Sequence, residues 1–366
     1  KEAKGMSIFF EDFNNLVSVS NSILRHYHIE GYHTSLAVLD QVLDQLNDKK
    51  ICLVLLDGFG REIQEQYKEE CPFFRSGYFQ TITSVFPPTT VAATTSLLSG
   101  KYPCETGWLG WTEKMKEEKL PITMFSSTYA DETMTKAPFD TYQRFAYKNL
   151  VQLIRESGKK ADMIQSFTLE DPSLENFFAE TKERVTQNDF LYAYCTEPDH
   201  KLHEEGVHGE NISALIHKID QLLKDLILHS KDTIFIVLAD HGHRDVKFYK
   251  IEEHEDFFDT LLYPFFAIEP RAATFFVKRG KEKQFEETFQ KYYQDEFYLF
   301  TKKEVIEKEI FGRGVPCDEF ESLLGDYLLV SKGDAAFDYG EDTIMKSHHA
   351  GSSKEERDIN LSLYNT

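Results

Sequence analysis

The sequence predicts an α/β fold in which a mostly parallel β-sheet is sandwiched by helices, with a small α+β subdomain inserted near the C-terminus. Two observations predict this fold. Short apolar runs alternate with helical patterns from residue 36 to residue 238. The chain of 366 residues is long enough for a large core, and its hydrophobic fraction of 41% is typical of a globular protein. Strands that alternate with helices usually pair in parallel and are covered on both faces.

The predicted strands of the main sheet are apolar runs that suit burial on both faces. The first run, KICLVLL, covers residues 50–56, and four more cover 79–85, 162–167, 190–195 and 233–238. Helical patterns lie beside these strands at 36–46, 90–98, 148–157, 171–182 and 212–228.

After residue 243 the pattern changes to strands separated by charged helices. We predict strands over 273–278, 297–301 and 326–331, and helices over 281–295 and 303–309. The predicted main α/β domain therefore comprises residues 1–264 and 333–366, and the inserted α+β subdomain comprises 265–332. The stretch from the 120s to the 140s gives few strand or helix signals, and we predict a surface loop or lid there.

Composition and charge limit the partners. The formal net charge of −21 argues against a nucleic acid polymer as a partner, although bound divalent cations would still permit a small anionic substrate. The sequence contains no apolar run of about 18 residues, so we expect no membrane span. Residues 1–14 lack the apolar core of a signal peptide. Five cysteines without a close pair predict free thiols and a cytoplasmic location. The sequence does not predict the oligomeric state.

Carboxylates and histidines follow three of the predicted strands. Asp57 comes directly after the first strand, Asp199 and His203 follow the strand at 190–195, and Asp240 and His241 follow the strand at 233–238. Ligands of doubly wound sheets gather at the carboxyl ends of the strands. One aspartate at such a position can be a helix cap or a turn residue, but three of them favour a cation site.

The ligand types indicate which cations would bind. Asp199 and His203 are four residues apart and share one face of a helix, whereas adjacent Asp240 and His241 need a sharp turn to point the same way. Carboxylate and imidazole together suit Zn²⁺, or Mn²⁺ as an alternative, better than Ca²⁺. Two such ions about 3.5–4 Å apart can stabilise the attacking and leaving oxygens of a displacement at phosphorus.

Two threonines, Thr89 and Thr90, lie at the start of the predicted helix at 90–98. Pro87 and Pro88 require an extended entry, so either Thr89 or Thr90 can begin a helix that Gly100 ends. A hydroxyl at this position lies among free backbone N–H groups that can bind phosphate. The alternative is a simple N-cap, which the local sequence alone favours.

These blocks together resemble the alkaline phosphatase superfamily, and within it the type I phosphodiesterase/nucleotide pyrophosphatase branch. The blocks occur in the expected order over nearly the whole chain, as LLDGFG, PPTTVAATTSLLSGKYP, EPDHKLH, ADHGH and SHHAG. The resemblance implies an alkaline-phosphatase-like fold. It also places the nucleophile at Thr90 rather than Thr89, counting back from the segment SGKYP.

The resemblance further implies two metal sites. The ligands of the first would be Asp57, Thr90, Asp240 and His241. The ligands of the second would be Asp199, His203 and either His348 or His349, of which we favour His349 because it precedes the small pair Ala350-Gly351. We expect His243 and His348 to act outside the coordination shells or at the surface.

The implied activity is two-metal hydrolysis of a phosphodiester or pyrophosphate through a phospho-threonine on Thr90, with a small phosphoester, a nucleotide among the candidates, as substrate. The resembled branch usually has an asparagine three residues after the nucleophile, where its amide supports a phosphoryl oxygen, but this sequence has Ala93 there. Thr94 or backbone amides are therefore the candidates for that contact. Trp108 and Trp111 are candidates for stacking on a nucleobase, with a place in the core as the alternative. Two other functions stay open: a phosphomonoesterase or phosphomutase of the same superfamily, and a non-catalytic metal-binding module.

Overall fold

The computed structural model describes residues 14–47, 49–338 and 345–366. Its strands, in chain order, are β1 (Lys50–Leu56), β2 (Tyr78–Thr83), β3 (Thr112–Glu113), β4 (Ile122–Thr123), β5 (Thr128–Tyr129), β6 (Ala161–Gln165), β7 (Phe190–Cys195), β8 (Thr233–Leu238), β9 (Arg244–Asp245), β10 (Lys247–Tyr249), β11 (Ala267–Glu269), β12 (Ala272–Phe275), β13 (Phe297–Thr301), β14 (Tyr327–Ser331), β15 (Ala335–Phe337), β16 (Ser347–His348) and β17 (Asp358–Asn365).

The α-helices, in the same order, are α1 (Leu16–His26), α2 (Ala37–Gln45), α3 (Arg61–Gln66), α4 (Pro72–Ser76), α5 (Thr90–Ser99), α6 (Pro103–Thr106), α7 (Thr141–Arg144), α8 (Leu150–Glu156), α9 (Leu174–Gln187), α10 (Asp199–Glu205), α11 (Ile212–Leu228), α12 (Glu255–Phe258), α13 (Glu282–Tyr292), α14 (Lys302–Glu307), α15 (Phe320–Leu323) and α16 (Lys354–Arg357). Two short 3₁₀ helices cover Ser166–Thr168 and Ile251–Glu253.

A six-stranded sheet in the order β2-β17-β8-β1-β7-β6 forms the centre of the fold. Strand β1 pairs in parallel with β7 and β8, and β6 pairs in parallel with β7. Strand β17 runs antiparallel to both of its neighbours, β2 and β8. Because β1, β7 and β8 are almost entirely buried, their apolar runs match the predicted two-sided cover. The predicted α/β class with a mostly parallel central sheet is confirmed.

Helix α1, which the sequence analysis did not predict, packs against the helix that begins at Thr90. Its buried residues include three serines and an asparagine, so large apolar side chains cover only part of the buried face. These polar groups find partners across the interface: Ser20 Oγ donates to Leu97 O at 2.5 Å, and Asn21 Nδ2 donates to Gly100 O at 3.0 Å. Helix α5 is therefore held along its length by polar as well as apolar contacts.

A second sheet has seven strands in the order β13-β14-β12-β11-β3-β4-β5. Strands β11 to β14 come from the predicted inserted subdomain, whereas β3 to β5 come from residues 112–129. Part of the predicted surface loop thus lies in a sheet, with Ile122 and Met124 buried in an apolar cluster. Two-residue strands are too short to give an alternating pattern, so the sequence did not reveal them. The division into domains at residues 264 and 332 stays a prediction.

Two further expectations concern the cysteines and the membrane. All five cysteines lie in the described part of the chain and are free, with Cys52 and Cys195 buried in β1 and β7. Within the described residues, no helix is both long enough and apolar enough to cross a bilayer.

Candidate metal centre

The candidate ligands lie at one edge of the central sheet, at the carboxyl ends of three adjacent strands. Asp57 follows β1, Asp199 begins α10 shortly after β7, and Asp240 follows β8. Because β7, β1 and β8 are neighbours and parallel, residues that follow them meet at the same edge. The structure therefore brings together carboxylates from three distant parts of the sequence.

The first cluster consists of Asp57, Asp240 and His241, whose ligand atoms all lie within 4.8 Å of one another. Nε2 of His241 is 3.3 Å from Oδ1 of Asp57 and 3.5 Å from Oδ2 of Asp240. All three side chains are buried. The predicted grouping of these residues is thus present in the geometry, while their role as ligands stays a prediction.

Thr90 is the first residue of α5, and its hydroxyl points at this cluster. Its Oγ1 is 3.1 Å from Nε2 of His241 and 3.5 Å from Oδ1 of Asp57. The N-cap is Thr89, whose side chain caps no backbone N–H among the described residues and instead donates to Oε1 of Glu269 at 2.6 Å. The geometry therefore does not support a capping role for either threonine hydroxyl, and it leaves backbone N–H groups of the first turn open to an anion.

Hydrogen bonds around the first cluster orient its lone pairs inward. Nδ1 of His241 lies 3.0 Å from the carbonyl oxygen of Gly242, which can only accept, so Nδ1 bears the hydrogen and Nε2 presents a lone pair to the cluster. Oδ1 of Asp240 accepts from the backbone N–H groups of Gly58 and His241, both at 3.0 Å. Its buried Oδ2 has no hydrogen-bond partner among the described residues. A buried carboxylate oxygen without a donor, beside an imidazole lone pair, fits a cation between the two.

The second cluster consists of Asp199, His203, His243 and His349, again with ligand atoms within 4.8 Å of one another. Asp199 and His203 lie one turn apart on α10, as their spacing predicted. Oδ1 of Asp199 is 2.5 Å from Nε2 of His243, and 3.5 Å and 3.7 Å from the same atom of His203 and His349. We expected His243 to act indirectly or at the surface, but the structure buries it inside this cluster.

The structure separates the two histidines that competed for the last position. Among the described residues, His349 belongs to the second cluster, whereas His348 does not. Nδ1 of His348 instead lies against the backbone of His349, 2.9 Å from its nitrogen and 3.0 Å from its carbonyl oxygen. The next residue, Ala350, has a φ of 84°, an uncommon left-handed conformation for alanine, and its N–H donates to Pro88 O at 2.9 Å. That hydrogen bond joins the loop that contains His348 and His349 to the segment just before Thr90.

The carboxylates of the two clusters perturb one another. Burial raises the pKa of Asp57 well above its usual range, and the nearby Asp199 and Asp240 carboxylates raise it further. Burial also raises the pKa of Asp240. Burial opposes ionisation of Asp199 as well, but the imidazoles of His203 and His243 outweigh it and lower the pKa of Asp199. Three carboxylates so close together, two of them buried and one half-buried, fit an environment that supplies positive charge.

The predicted substrate contacts lie in three different environments. Trp108 is 1% exposed, and its indole N–H donates to Phe145 O at 2.9 Å, so its ring belongs to the core. Trp111 is 43% exposed, and its backbone N–H donates to Oε1 of Glu269 at 2.8 Å. The hydroxyl of Thr94 donates to the carbonyl oxygen of Thr90 one turn earlier, at 2.6 Å. Of the two tryptophans, Trp111 has the face that a ligand could reach.

Two residues near the site were not found from the sequence. Tyr194, the penultimate residue of β7, donates a hydrogen bond from its hydroxyl to Oδ2 of Asp57. Glu269 is buried at the end of β11, where burial is the main cause that raises its pKa to about 7. A tyrosine near a strand end and an isolated acid in an apolar run were the available signals, but only the fold shows what they contact.

Comparisons with known proteins agree with this architecture. The family model described as type I phosphodiesterase / nucleotide pyrophosphatase matches residues 51–351. No curated protein matches the chain. Murine ectonucleotide pyrophosphatase/phosphodiesterase 5 is similar in structure, with a TM-score of 0.66 and 14% identity over 87% of this chain and 88% of that one.

Two further solved structures are similar over comparable lengths. An inactive variant of the same murine protein, in complex with AMP, has a TM-score of 0.63 and 14% identity over 87% of this chain and 88% of that one. Phosphonoacetate hydrolase from Sinorhizobium meliloti 1021, in complex with phosphonoformate, has a TM-score of 0.63 and 15% identity over 87% of this chain and 90% of that one. At these identities the likenesses show the alkaline-phosphatase-like fold.

Proposed function

The chain belongs to the type I phosphodiesterase / nucleotide pyrophosphatase family of hydrolases, and on that premise we propose that it cleaves a small phosphodiester or pyrophosphate with Thr90 as the nucleophile. The observation that supports Thr90 most is its position. Its hydroxyl begins a ten-residue helix, 3.1 Å from Nε2 of His241 and 3.5 Å from Oδ1 of Asp57. Few other roles would explain a threonine hydroxyl directed at a buried carboxylate and a buried imidazole.

The two clusters fit two divalent cations. Asp57, Thr90, Asp240 and His241 would hold one, and the second would be held by Asp199, His203 and His349. We favour Zn²⁺ over Mn²⁺ because imidazole nitrogens form part of both donor sets. When bound, such a pair supplies positive charge to the attacking and leaving oxygens of a displacement at phosphorus.

The protein's own groups position the reaction. Asp57 and His241 orient the hydroxyl of Thr90, and Tyr194 holds Asp57 through a hydrogen bond. Free backbone N–H groups in the first turn of α5 bind the phosphoryl oxygens. The Thr90 oxygen then forms a bond to phosphorus while the bond to the leaving oxygen breaks, and its proton passes to solvent. Water hydrolyses the phospho-threonine and restores the hydroxyl.

A nucleotide is the substrate class that we propose first. An inactive variant of the murine protein of similar fold is in complex with AMP in a solved structure. In this chain, Trp111 offers an exposed aromatic face near Thr89, because both residues donate to Glu269. A base could stack on that face. A phosphomonoesterase, the alternative, would act on a substrate whose phosphorus carries only one ester group.

A substrate screen with purified protein tests this proposal. Bis-(p-nitrophenyl) phosphate, p-nitrophenyl phosphate, and nucleotide monoesters and diesters would be compared at saturating Zn²⁺ or Mn²⁺. We expect kcat/KM for the diesters to exceed that for the monoesters by at least about tenfold, which corresponds to about 1.4 kcal/mol. A preference of that size for monoesters would instead support a phosphomonoesterase or phosphomutase. No turnover with two bound ions would support a binding module.

We also propose a cytoplasmic location, which the five free thiols support. Fluorescence of a tagged copy in the native cell tests it, and an extracytoplasmic signal would contradict it.

A further inference from the structure

We propose that His243 is a fourth protein ligand of the second ion, so that three imidazoles and one carboxylate hold it. This inference rests on the proposed function, because it presumes that the clusters bind metal. It assigns a specific task to a residue that the sequence left outside both coordination shells.

The position of His243 is the first support. Its side chain is buried, with the residue 2% exposed, and its Nε2 lies closer to Oδ1 of Asp199 than the corresponding atoms of His203 and His349 do. All four ligand atoms fall within 4.8 Å of one another. A residue that acted only from outside the shell would not be expected to place a ring nitrogen within 4.8 Å of every other ligand atom of the group.

The hydrogen bonds of Ser347 determine which nitrogen of His243 is available. Oγ of Ser347 donates its only hydrogen to Leu202 O at 2.6 Å. It must therefore accept from Nδ1 of His243, which lies 3.0 Å away. With the hydrogen on Nδ1, a neutral ring has its lone pair on Nε2. That is the arrangement of histidines that bind metal, whose other nitrogen donates to an oriented acceptor. The approach of Nε2 to the Asp199 carboxylate at 2.5 Å then needs a cation or a second proton between them.

His203 is oriented by the same residue. Its Nδ1 lies 2.8 Å from the carbonyl oxygen of Ser347, which can only accept, so Nε2 of His203 also presents a lone pair to the cluster. Strand pairing fixes this arrangement, because β16 and β9 are antiparallel partners with Ser347 opposite Asp245. His243 directly precedes β9, so the pairing holds His243 beside Ser347.

The donor set has a consequence for metal choice. The second site would have three nitrogens and one oxygen, whereas Asp57, Thr90, Asp240 and His241 offer three oxygens and one nitrogen at the first. The nitrogen-rich set favours Zn²⁺, and the oxygen-rich set is more tolerant of Mn²⁺. A fourth protein donor should make the second site retain Zn²⁺ more tightly than three donors would, and Zn²⁺ can still expand to five-coordinate to accept a substrate oxygen.

Zinc affinity measured by chelator competition gives the first test, on the full chain. His243→Gln is the test variant, and His348→Gln is its matched control, since His348 is also buried and lies beside His203 but outside the cluster. We expect His243→Gln to weaken one of two zinc sites more than about 100-fold, beyond the range of about 10- to 100-fold typical of groups outside the shell. The control should change affinity less than about tenfold. Equal losses in the two variants would overturn the proposal.

Nuclear magnetic resonance gives the direct test, with NMR-active cadmium as the probe and histidines labelled with an NMR-active nitrogen isotope. We expect a scalar coupling between cadmium and Nε2 of His243, assigned by its loss in His243→Gln. The opposite result would be a His243 ring that carries a hydrogen on both nitrogens and shows no coupling to cadmium. His243 would then be a hydrogen-bond donor to Asp199, which would overturn this inference but not the proposed function. A wild-type protein that binds neither zinc nor cadmium would instead overturn the proposed function.

Discussion

Arg271 and Glu356 form a buried bidentate ion pair, with Nε of Arg271 2.6 Å from Oε1 of Glu356 and Nη2 2.9 Å from Oε2. Glu356 also contacts both loops that contain the C-terminal candidate ligands. Its Oε1 accepts from the N–H of Gly351 at 2.7 Å, and its backbone oxygen accepts from the N–H of Gly242 at 2.8 Å. Gly242 separates the two histidines of ADHGH, and Gly351 follows the last histidine pair. The ion pair therefore positions the histidines of both clusters.

Removal of the guanidinium should destabilise the protein. Arg271→Leu leaves the Glu356 carboxylate buried without its cation, and we expect a loss of about 3–5 kcal/mol in the free energy of unfolding. The control is Arg61→Leu, because Arg61 is partly exposed and 3.9 Å from Asp358, so its loss should cost less than about 1 kcal/mol. Urea denaturation of both variants measures the difference. Similar values for the two would contradict the positioning role.

The second cluster should account for one equivalent of metal. Asp199→Ala or His349→Ala removes a proposed ligand, so we expect bound metal to fall from two equivalents to about one. His348→Ala is the control, and its metal content should stay near the wild-type value. Elemental analysis after dialysis gives the count. An unchanged count in Asp199→Ala would contradict the proposed grouping.

Much of the site was predictable from local sequence, because Asp57, Asp199 and Asp240 each follow a strand that its apolar run identifies. The position of His243 was not predictable. The orientation of the His243 ring depends on Ser347, more than a hundred residues later in the sequence. It also depends on the pairing of β9 with β16, which are only two residues long each. Strand β17 was missed for a related reason: it inserts antiparallel between β2 and β8, and its place is set by contacts with distant strands.

The two tryptophans should respond differently to truncation. Trp111→Ala removes an exposed ring, so we expect KM for a nucleotide substrate to rise about 5- to 150-fold, the equivalent of about 1–3 kcal/mol of stacking, with little change in stability. Trp108→Ala should cost about 3–5 kcal/mol of unfolding free energy because its ring fills the core. Steady-state kinetics and thermal unfolding measure these effects. Unchanged nucleotide KM in Trp111→Ala would place the base elsewhere.

Glu269 should make the stability of the metal-free protein depend on pH. Its pKa is raised, chiefly by burial, from 4.5 to about 7, so the folded state binds a proton more tightly than the unfolded state. Its contribution is fully present below pH 4.5 and is lost as pH rises through about 7. The shift corresponds to about 3 kcal/mol as an order of magnitude.

Glu269→Gln should remove this dependence while still accepting from Thr89 and Trp111. Denaturation at a series of pH values in chelator, for wild type and variant, gives the comparison. The wild type should lose stability relative to the variant between about pH 5 and pH 7.5. If the unfolding free energies of wild type and variant changed in parallel with pH, the carboxyl of Glu269 would not titrate in this range.

The phosphorylated state of Thr90 tests the central claim most directly. Wild-type protein would be mixed with bis-(p-nitrophenyl) phosphate, quenched in acid during turnover, digested and examined by mass spectrometry. We predict a phosphoryl-type adduct on Thr90, absent from Thr90→Ala, whose turnover should fall at least about a thousandfold while its fold is retained. An adduct on another residue, or a Thr90→Ala variant with wild-type turnover, would contradict Thr90 as the nucleophile.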